Sequence, residues 1–258
     1  LGEKKLPIEI LKKLKKNKIN YFIIDLTKNN RFKNDKKSFF INIGKFGKIL
    51  ELIHSKKCKK VIFAGIISKP KISSLKLDLK GIYYIPRIIK ASKLGDAAIL
   101  KELIKILAEN KIKVLKLNFF NPELTLKKGN YTSLKPSKLE ILDINRGINY
   151  LNNLNAHNHT QGIILRNNKV LAKETYKGTK KMLQSIKKSS ISSTMLIKFP
   201  KKKQDLRADL PTIGLETLKD CNKAGIRGIV LKSKENIVLD RSKCISFANK
   251  NNMFILVK

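Results

Sequence analysis

Residues 201–218 read KKKQDLRADLPTIGLETL. Acidic residues are scarce in this chain, with 19 Asp and Glu against 57 Lys and Arg. Here, however, Asp205 and Asp209 flank Arg207, with Gln204 just ahead of them. Pro211 pushes Leu210 out of the helical region into an extended conformation. If that extension reaches back to Asp205, strand alternation turns Asp205, Arg207 and Asp209 to one side. Thr212 and Gly214 would then open a helix, whose free amides and positive dipole end suit a phosphate. A carboxylate beside such a site can hold Mg²⁺ against a phosphate or orient a water. Arg207 could clamp phosphate through its forked donors. The segment has the parts for phosphate-ester or pyrophosphate chemistry. A salt-bridged loop ahead of a capped helix would use the same residues.

Other candidates are more isolated. Gly65 in FAGIISKP closes a buried strand and Ser68 follows it. Ligands gather at such strand ends in open α/β sheets, although a plain strand-to-helix turn needs the same residues. Gln161 precedes a strand and Lys198 ends one near the aspartate loop, where each could contact phosphate or sugar. Asp96 reads as a helix N-cap before it reads as a ligand. His157 and His159 form an H-x-H with no third ligand nearby, which reads as a polar linker. His54 lies near a helix end, where a dipole contact explains it. Cys58, Cys221 and Cys244 are odd in number and include no C-x-x-C pair. That excludes a disulfide framework and a sequence-visible zinc site.

Positioning these residues requires an α/β frame. LPIEILKKLKK, FGKILELIHS and GDAAILKELIKILAENK carry helical spacing, the first with Pro7 at its start. INYFIIDL, KKVIFAG and IKVLKL are short apolar runs of the kind buried in parallel sheets. Their alternation predicts a parallel sheet covered on both faces. Residues 122–138 break the pattern and read as a crossover between domains. Beyond it, LEILDINRGINYLNNL is helical, and Asn167-Asn168 turns a hairpin in GIILRNNKVLAKE. GTKKMLQSIKK, LETLKDCNKAG and RSKCISFANKNN are helices. STMLIKFP, IRGIVLKSKENIVLD and MFILVK supply strands. The expected organisation is an N-terminal α/β domain over 1–124, a linker over 125–138 and a C-terminal α/β domain over 139–258.

The chain has 258 residues, 42% of them apolar, so globular domains with real cores are expected. No apolar run is long enough to span a bilayer and no signal-peptide pattern opens the chain, so a cytoplasmic location is expected. A formal net charge of +38 favours phosphate-bearing partners. The excess is nearly all lysine and evenly spread, which marks a composition bias rather than a nucleic-acid stripe. The aromatic content of 7% and the lack of a recognised motif also argue against nucleic acid as the partner.

LGDAAILKELIKILAENKIKV, DINRGINYLNNL, KETYKGTKKML, LIKFPKKKQDLRADLPTIGLETLKDCNKAGIRGIVLKSKENIVLDR and the ending MFILV occur in this order. Together they resemble the LpxI family, UDP-2,3-diacylglucosamine pyrophosphatases of lipid A synthesis. FGKILELI and VIFAGIISKP resemble further stretches of that family, so the likeness spans nearly the whole chain. It implies two α/β domains, the first Rossmann-like with a mainly parallel sheet, the second a mixed sheet with helices, and the substrate between them. It implies Mg²⁺-dependent hydrolysis of UDP-2,3-diacylglucosamine to UMP and 2,3-diacylglucosamine 1-phosphate, with water attacking the phosphorus on the sugar side. The family's critical aspartate falls on Asp209, and Arg207, Thr212 and Gly214 match the same string. Asp209 could bind Mg²⁺ or position the water, and the sequence does not choose. The resemblance also suggests a homodimer, and a lysine-rich surface would help the protein dwell on the anionic inner membrane where a diacyl substrate resides.

The chain departs from the family at two places. LGEKKLP keeps Gly2 of a glycine-rich turn but has Glu3 and Lys4 where small residues are usual, and the strand expected before it is absent. The family's EGTD appears as KGTK over residues 177–180, which retains Gly178 and Thr179 and leaves Glu174 as a second carboxylate. These departures keep open a relative that binds the nucleotide-sugar lipid without turnover.

Overall fold

The computed structural model describes residues 1–67, 72–154, 160–186, 193–201 and 204–258. The chain divides into two compact units, Leu1–Asn121 with Arg207–Asp209, and Pro122–Leu206 with Leu210–Lys258.

The first unit contains α1 (Leu6–Lys16), β1 (Ile23–Asp25), β2 (Ser38–Phe40), α2 (Phe46–Ser55), β3 (Lys60–Val61), α3 (Leu79–Ser92), α4 (Asp96–Glu109), β4 (Lys113–Val114) and α5 (Leu117–Phe120). Its strands pair in parallel in two separate two-stranded ladders, β1 with β2 and β3 with β4. The apolar runs predicted β1, β3 and β4, while β2 is an addition to them. Ile49, Leu50 and Ile53 of α2 pack with Ile104 and Leu107 of α4, and with Ile112 and Val114. Ala208 joins this cluster. One carboxylate organises two helix starts. Asp78 accepts the amides of Gly47 and Lys48 at the head of α2 and that of Gly81 at the head of α3. Each helix leaves its first amides without intrahelical partners, and Asp78 satisfies some at both ends. Asp96 is not the cap of α4. The N-cap is Gly95, whose φ of 95° suits glycine, and Asp96 lies in the first turn, where its charge favours the dipole.

The second unit contains β5 (Gly129–Asn130), α6 (Lys138–Asn152), β6 (Gly162–Arg166), β7 (Lys169–Lys173), α7 (Gly178–Gln184), β8 (Thr194–Lys198), β9 (Thr212–Ile213), α8 (Leu215–Lys223), β10 (Gly228–Leu231), β11 (Ile237–Val238), α9 (Arg241–Lys250) and β12 (Phe254–Val257). A six-stranded sheet runs β5-β12-β10-β8-β6-β7. The ladders β12-β10-β8 are parallel, while β5, β6 and β7 each pair antiparallel. Because side chains alternate along a strand, the sheet feeds two cores. Ile164, Leu196, Ile229 and Ile255 face Met182 of α7, Leu218 of α8 and Ala248 of α9. Ile163, Ile197, Val230 and Phe254 face Ile144 of α6. Gly147 allows α6 to lie close on the sheet, since a Cβ there would run into Ile197 and Leu165. The hairpin turns on Asn167 and Asn168, both at positive φ, as its Asn-Asn pair predicted. Residues 129–130, inside the stretch read as a crossover, form the edge strand β5 against β12.

Candidate active site

The carboxyl edge of the second unit's sheet collects polar residues. Lys198 is the last residue of β8, opposite Gly162 of β6 and beside Leu231 of β10. Since β6 runs antiparallel to β8, and β7 to β6, the start of β6 and the end of β7 reach this same edge. Gln161, Glu174 and Lys198 therefore share it, although they are distant in sequence.

Lys198 shares the parity of Leu196, so it points to the α7 side and is only 3% exposed. A buried ammonium requires a partner. Its Nζ donates to Glu174 Oε2 at 2.7 Å and to Thr179 Oγ1 at 2.7 Å. The Thr179 hydroxyl in turn donates to Glu174 Oε1 at 2.9 Å. The three side chains close a triangle in which both carboxylate oxygens are engaged. Gly162 makes room for it, because a Cβ there would lie 2.8 Å from Glu174 Oε2. Gly178 adopts a φ of 80° at the entrance to α7, next to Thr179. The Thr160 hydroxyl donates to the Glu174 carbonyl at 3.1 Å, and the Glu174 amide donates to the Gly162 carbonyl at 2.8 Å.

The aspartate loop leaves from this edge. Gln161 Nε2 donates to Gln204 Oε1 at 2.9 Å, and the Lys201 amide donates to the same oxygen at 2.9 Å. Gln204 is buried, so the start of the loop is pinned. Its far end is pinned by Leu210, also buried, and by β9, which pairs in parallel with β11. Residues 206–208 form a turn, and Asp205, Arg207 and Asp209 are half-buried. The one-sided Asp-Arg-Asp face expected from strand alternation is therefore not built by a strand. Pro211 restricts only Leu210, and the extended segment begins after it at Thr212. Thr212 lies in β9 and does not open the helix. Gly214 does, as the N-cap of α8, with a φ of −160° that any residue can adopt.

In the first unit, Gly2 and Gly65 come together. The Gly2 amide donates to the Ala64 carbonyl at 2.8 Å, and Glu3 bridges to Ile66. Gly65 has a φ of 88°, and a Cβ there would lie 2.6 Å from the Glu3 carbonyl oxygen. Only glycine permits this approach. Ser68, His157 and His159 lie outside the described residues. His54 donates from Nε2 to the Asn110 carbonyl at 3.2 Å, an ordinary contact past the end of α4. Burial pushes the Cys221 thiol up, aided by Asp220, so this cysteine is a core residue and no nucleophile.

Asn236, which no sequence signal marks, is 1% exposed. Its Nδ2 donates to the Lys198 carbonyl at 3.0 Å and its Oδ1 accepts the Lys232 amide at 2.8 Å. It ties the turn after β10 to the end of β8. A lone Asn in SKENIV looks like any surface turn, and only the strand order reveals its role.

Two α/β units, one with buried polar groups at the carboxyl ends of its strands, are an arrangement suited to binding a ligand at a sheet edge. The LpxI N-terminal domain model matches residues 2–124 and the LpxI C-terminal domain model matches residues 127–256. The UDP-2,3-diacylglucosamine pyrophosphatase LpxI of Caulobacter vibrioides is 30% identical over 224 residues, 84% of this chain and 80% of that protein. The chain belongs to the LpxI family.

Proposed function

We propose that the chain hydrolyses the pyrophosphate bond of UDP-2,3-diacylglucosamine, giving UMP and 2,3-diacylglucosamine 1-phosphate in lipid A synthesis. The observation that carries this reading is the match to both family domains, with the Caulobacter vibrioides pyrophosphatase similar over 84% of the chain. The aspartate loop supports it. Gln161 and Gln204 fix the start of that loop and β9 fixes its end, which limits the positions open to Arg207 and Asp209. Water adds to one phosphorus, the bridging P–O bond breaks, and the water's protons pass to surrounding bases and solvent. The Arg207 guanidinium offers paired donors to the phosphate oxygens as negative charge builds on the leaving group.

Mg²⁺ belongs to this reading. Among the described residues no cluster of three or more His, Cys, Asp or Glu could cage a metal. Mg²⁺ commonly binds through one or two carboxylates plus substrate phosphates, so a protein cage is not required. Asp209, half-buried on the loop, is the carboxylate we assign to that role. Glu174 does not suit it, because Lys198 and Thr179 engage both its oxygens. When bound, Mg²⁺ would neutralise phosphate charge. Among the described residues no helix is long and apolar enough to cross a membrane. We place the protein at the cytoplasmic surface of the inner membrane, held there by lysine-rich charge.

The test is UMP release from UDP-2,3-diacylglucosamine with Mg²⁺, comparing the wild-type chain with Asp209→Ala. Release by the wild type alone supports the reading. Equal release by both removes Asp209 from the chemistry. Binding without release by the wild type marks a relative that has lost turnover.

A further inference from the structure

α3 has apolar residues on both faces. Gly81 and Ala91 are buried against the first unit, and Tyr84 packs edge-on against Phe46 of α2 with ring centroids 5.6 Å apart. On the other side, Leu79 is 86% exposed, Ile82 57% and Tyr83 72%. Pro86 is exposed as well. These four lie at i, i+3, i+4 and i+7, a single stripe along the helix. Leu94, just past the end of α3, is 66% exposed. An apolar stripe normally faces a core, and one left outward marks an interaction surface. Lys80 and Lys90 are exposed on the same helix, and Lys76 and Lys93 are exposed just beyond its ends. The nearby acids are already engaged. Asp78 caps α2 and α3, while Glu102 and Glu109 pair with Arg87.

We infer that α3 is the element that docks this protein on an anionic lipid bilayer. Leu79, Ile82 and Tyr83 enter the boundary between headgroups and acyl chains, and the flanking lysines meet lipid phosphates. Charge decides between occupants. A second copy would bring another +38 chain against a lysine-framed face, whereas an anionic bilayer complements it. An aliphatic stripe with an outward tyrosine and flanking lysines is the composition of interfacial helices. The choice of a lipid partner rests in part on the function proposed above, since a diacyl substrate resides in a membrane. The exposed stripe stands without it.

The experiment is sedimentation of the full chain with substrate-free vesicles of phosphatidylcholine and phosphatidylglycerol, compared with phosphatidylcholine alone. The wild type pellets with the anionic vesicles. Ile82→Gln with Tyr83→Gln lowers that partition by about tenfold or more, because each buried side chain of this size is worth roughly that factor. UMP release from substrate dispersed in detergent stays at the wild-type level in this variant. Leu79→Gln, at the exposed start of the helix, repeats the test should the double variant fold poorly. Equal sedimentation of wild type and variants overturns the inference, as does a wild type that stays in solution. A dimer that the substitutions dissociate, with vesicle binding unchanged, also overturns it and assigns the face to a second copy. Vesicle binding that depends on the stripe, in a protein that releases no UMP, leaves the docking helix standing and removes the proposed reaction.

Discussion

Lys198 donates to Glu174 Oε2 at 2.7 Å, with their side chains only 4% and 10% exposed. Two charges so deprived of water depend on each other. Their attraction roughly offsets the cost of desolvating them, so the pair adds little net stability, but breaking it leaves a buried charge uncompensated. Lys198→Met should therefore destabilise the second unit by about 3–5 kcal/mol. Lys198→Met combined with Glu174→Gln should recover most of that loss. Chemical denaturation of the two variants beside the wild type measures both effects, and additive losses would show that the two residues are not coupled.

Asp209→Ala should lower the rate of UMP release by about two to four orders of magnitude, the range expected for one group acting on the reacting atoms. Its melting temperature should stay near that of the wild type, because the residue is half-buried and lies just past the turn at 206–208. Chelation of Mg²⁺ should likewise stop release without lowering the melting temperature. A large fall in melting temperature on chelation would instead mean that a metal holds the fold.

Hydrolysis in heavy-oxygen water tests which phosphorus is attacked. Attack on the sugar side puts the label in 2,3-diacylglucosamine 1-phosphate and leaves UMP unlabelled. Mass spectrometry of the two products decides, and label in UMP would reverse the assignment.

Acid should weaken the protein through two carboxylates. Burial works to raise the Asp78 carboxyl, but the amides of Gly47, Gly81 and Lys48 outweigh it and hold the group below its ordinary value. Glu140 behaves alike. Burial opposes ionisation there, and the Ser193 hydroxyl, Ser137 and the Arg227 guanidinium overcome it. A folded-state value below the unfolded one contributes stability above the ordinary carboxylate range, about pH 4, which is lost as pH falls through the folded value. The gap in denaturation midpoint between wild type and Asp78→Asn should be widest at neutral pH and close in acid. A gap that does not vary with pH would contradict this.

Much of the frame is legible in the sequence, where local signals dominate. FGKILELIHS is α2 from Phe46 to Ser55, and Asn167-Asn168 sets the hairpin. α3 is hard to read from sequence because Pro86 lies inside it and its apolar residues divide between a buried side and an exposed stripe. Over 206–208 the sequence leaves open both an extension back to Asp205 and a loop, and the backbone turns there because Pro211 restricts only Leu210. The candidate site is legible only in parts. Glu174, Thr179, Lys198, Gln161 and Gln204 could each be named, but the partners they choose depend on how β6, β7 and β8 pair. Those contacts link residues far apart in the chain, and spacing in sequence carries no record of them.

The pairing of β5 with β12 reaches beyond the sheet itself. The first and last strands of the second unit are hydrogen-bonded neighbours, Asn130 opposite Leu256 and Gly129 opposite Val257. The polypeptide of that unit thus returns to its own point of departure, like a purse drawn shut at the neck. A short peptide joining the two ends, with the chain reopened at the Asn167-Asn168 tip, would make a circular permutant that keeps every strand in place.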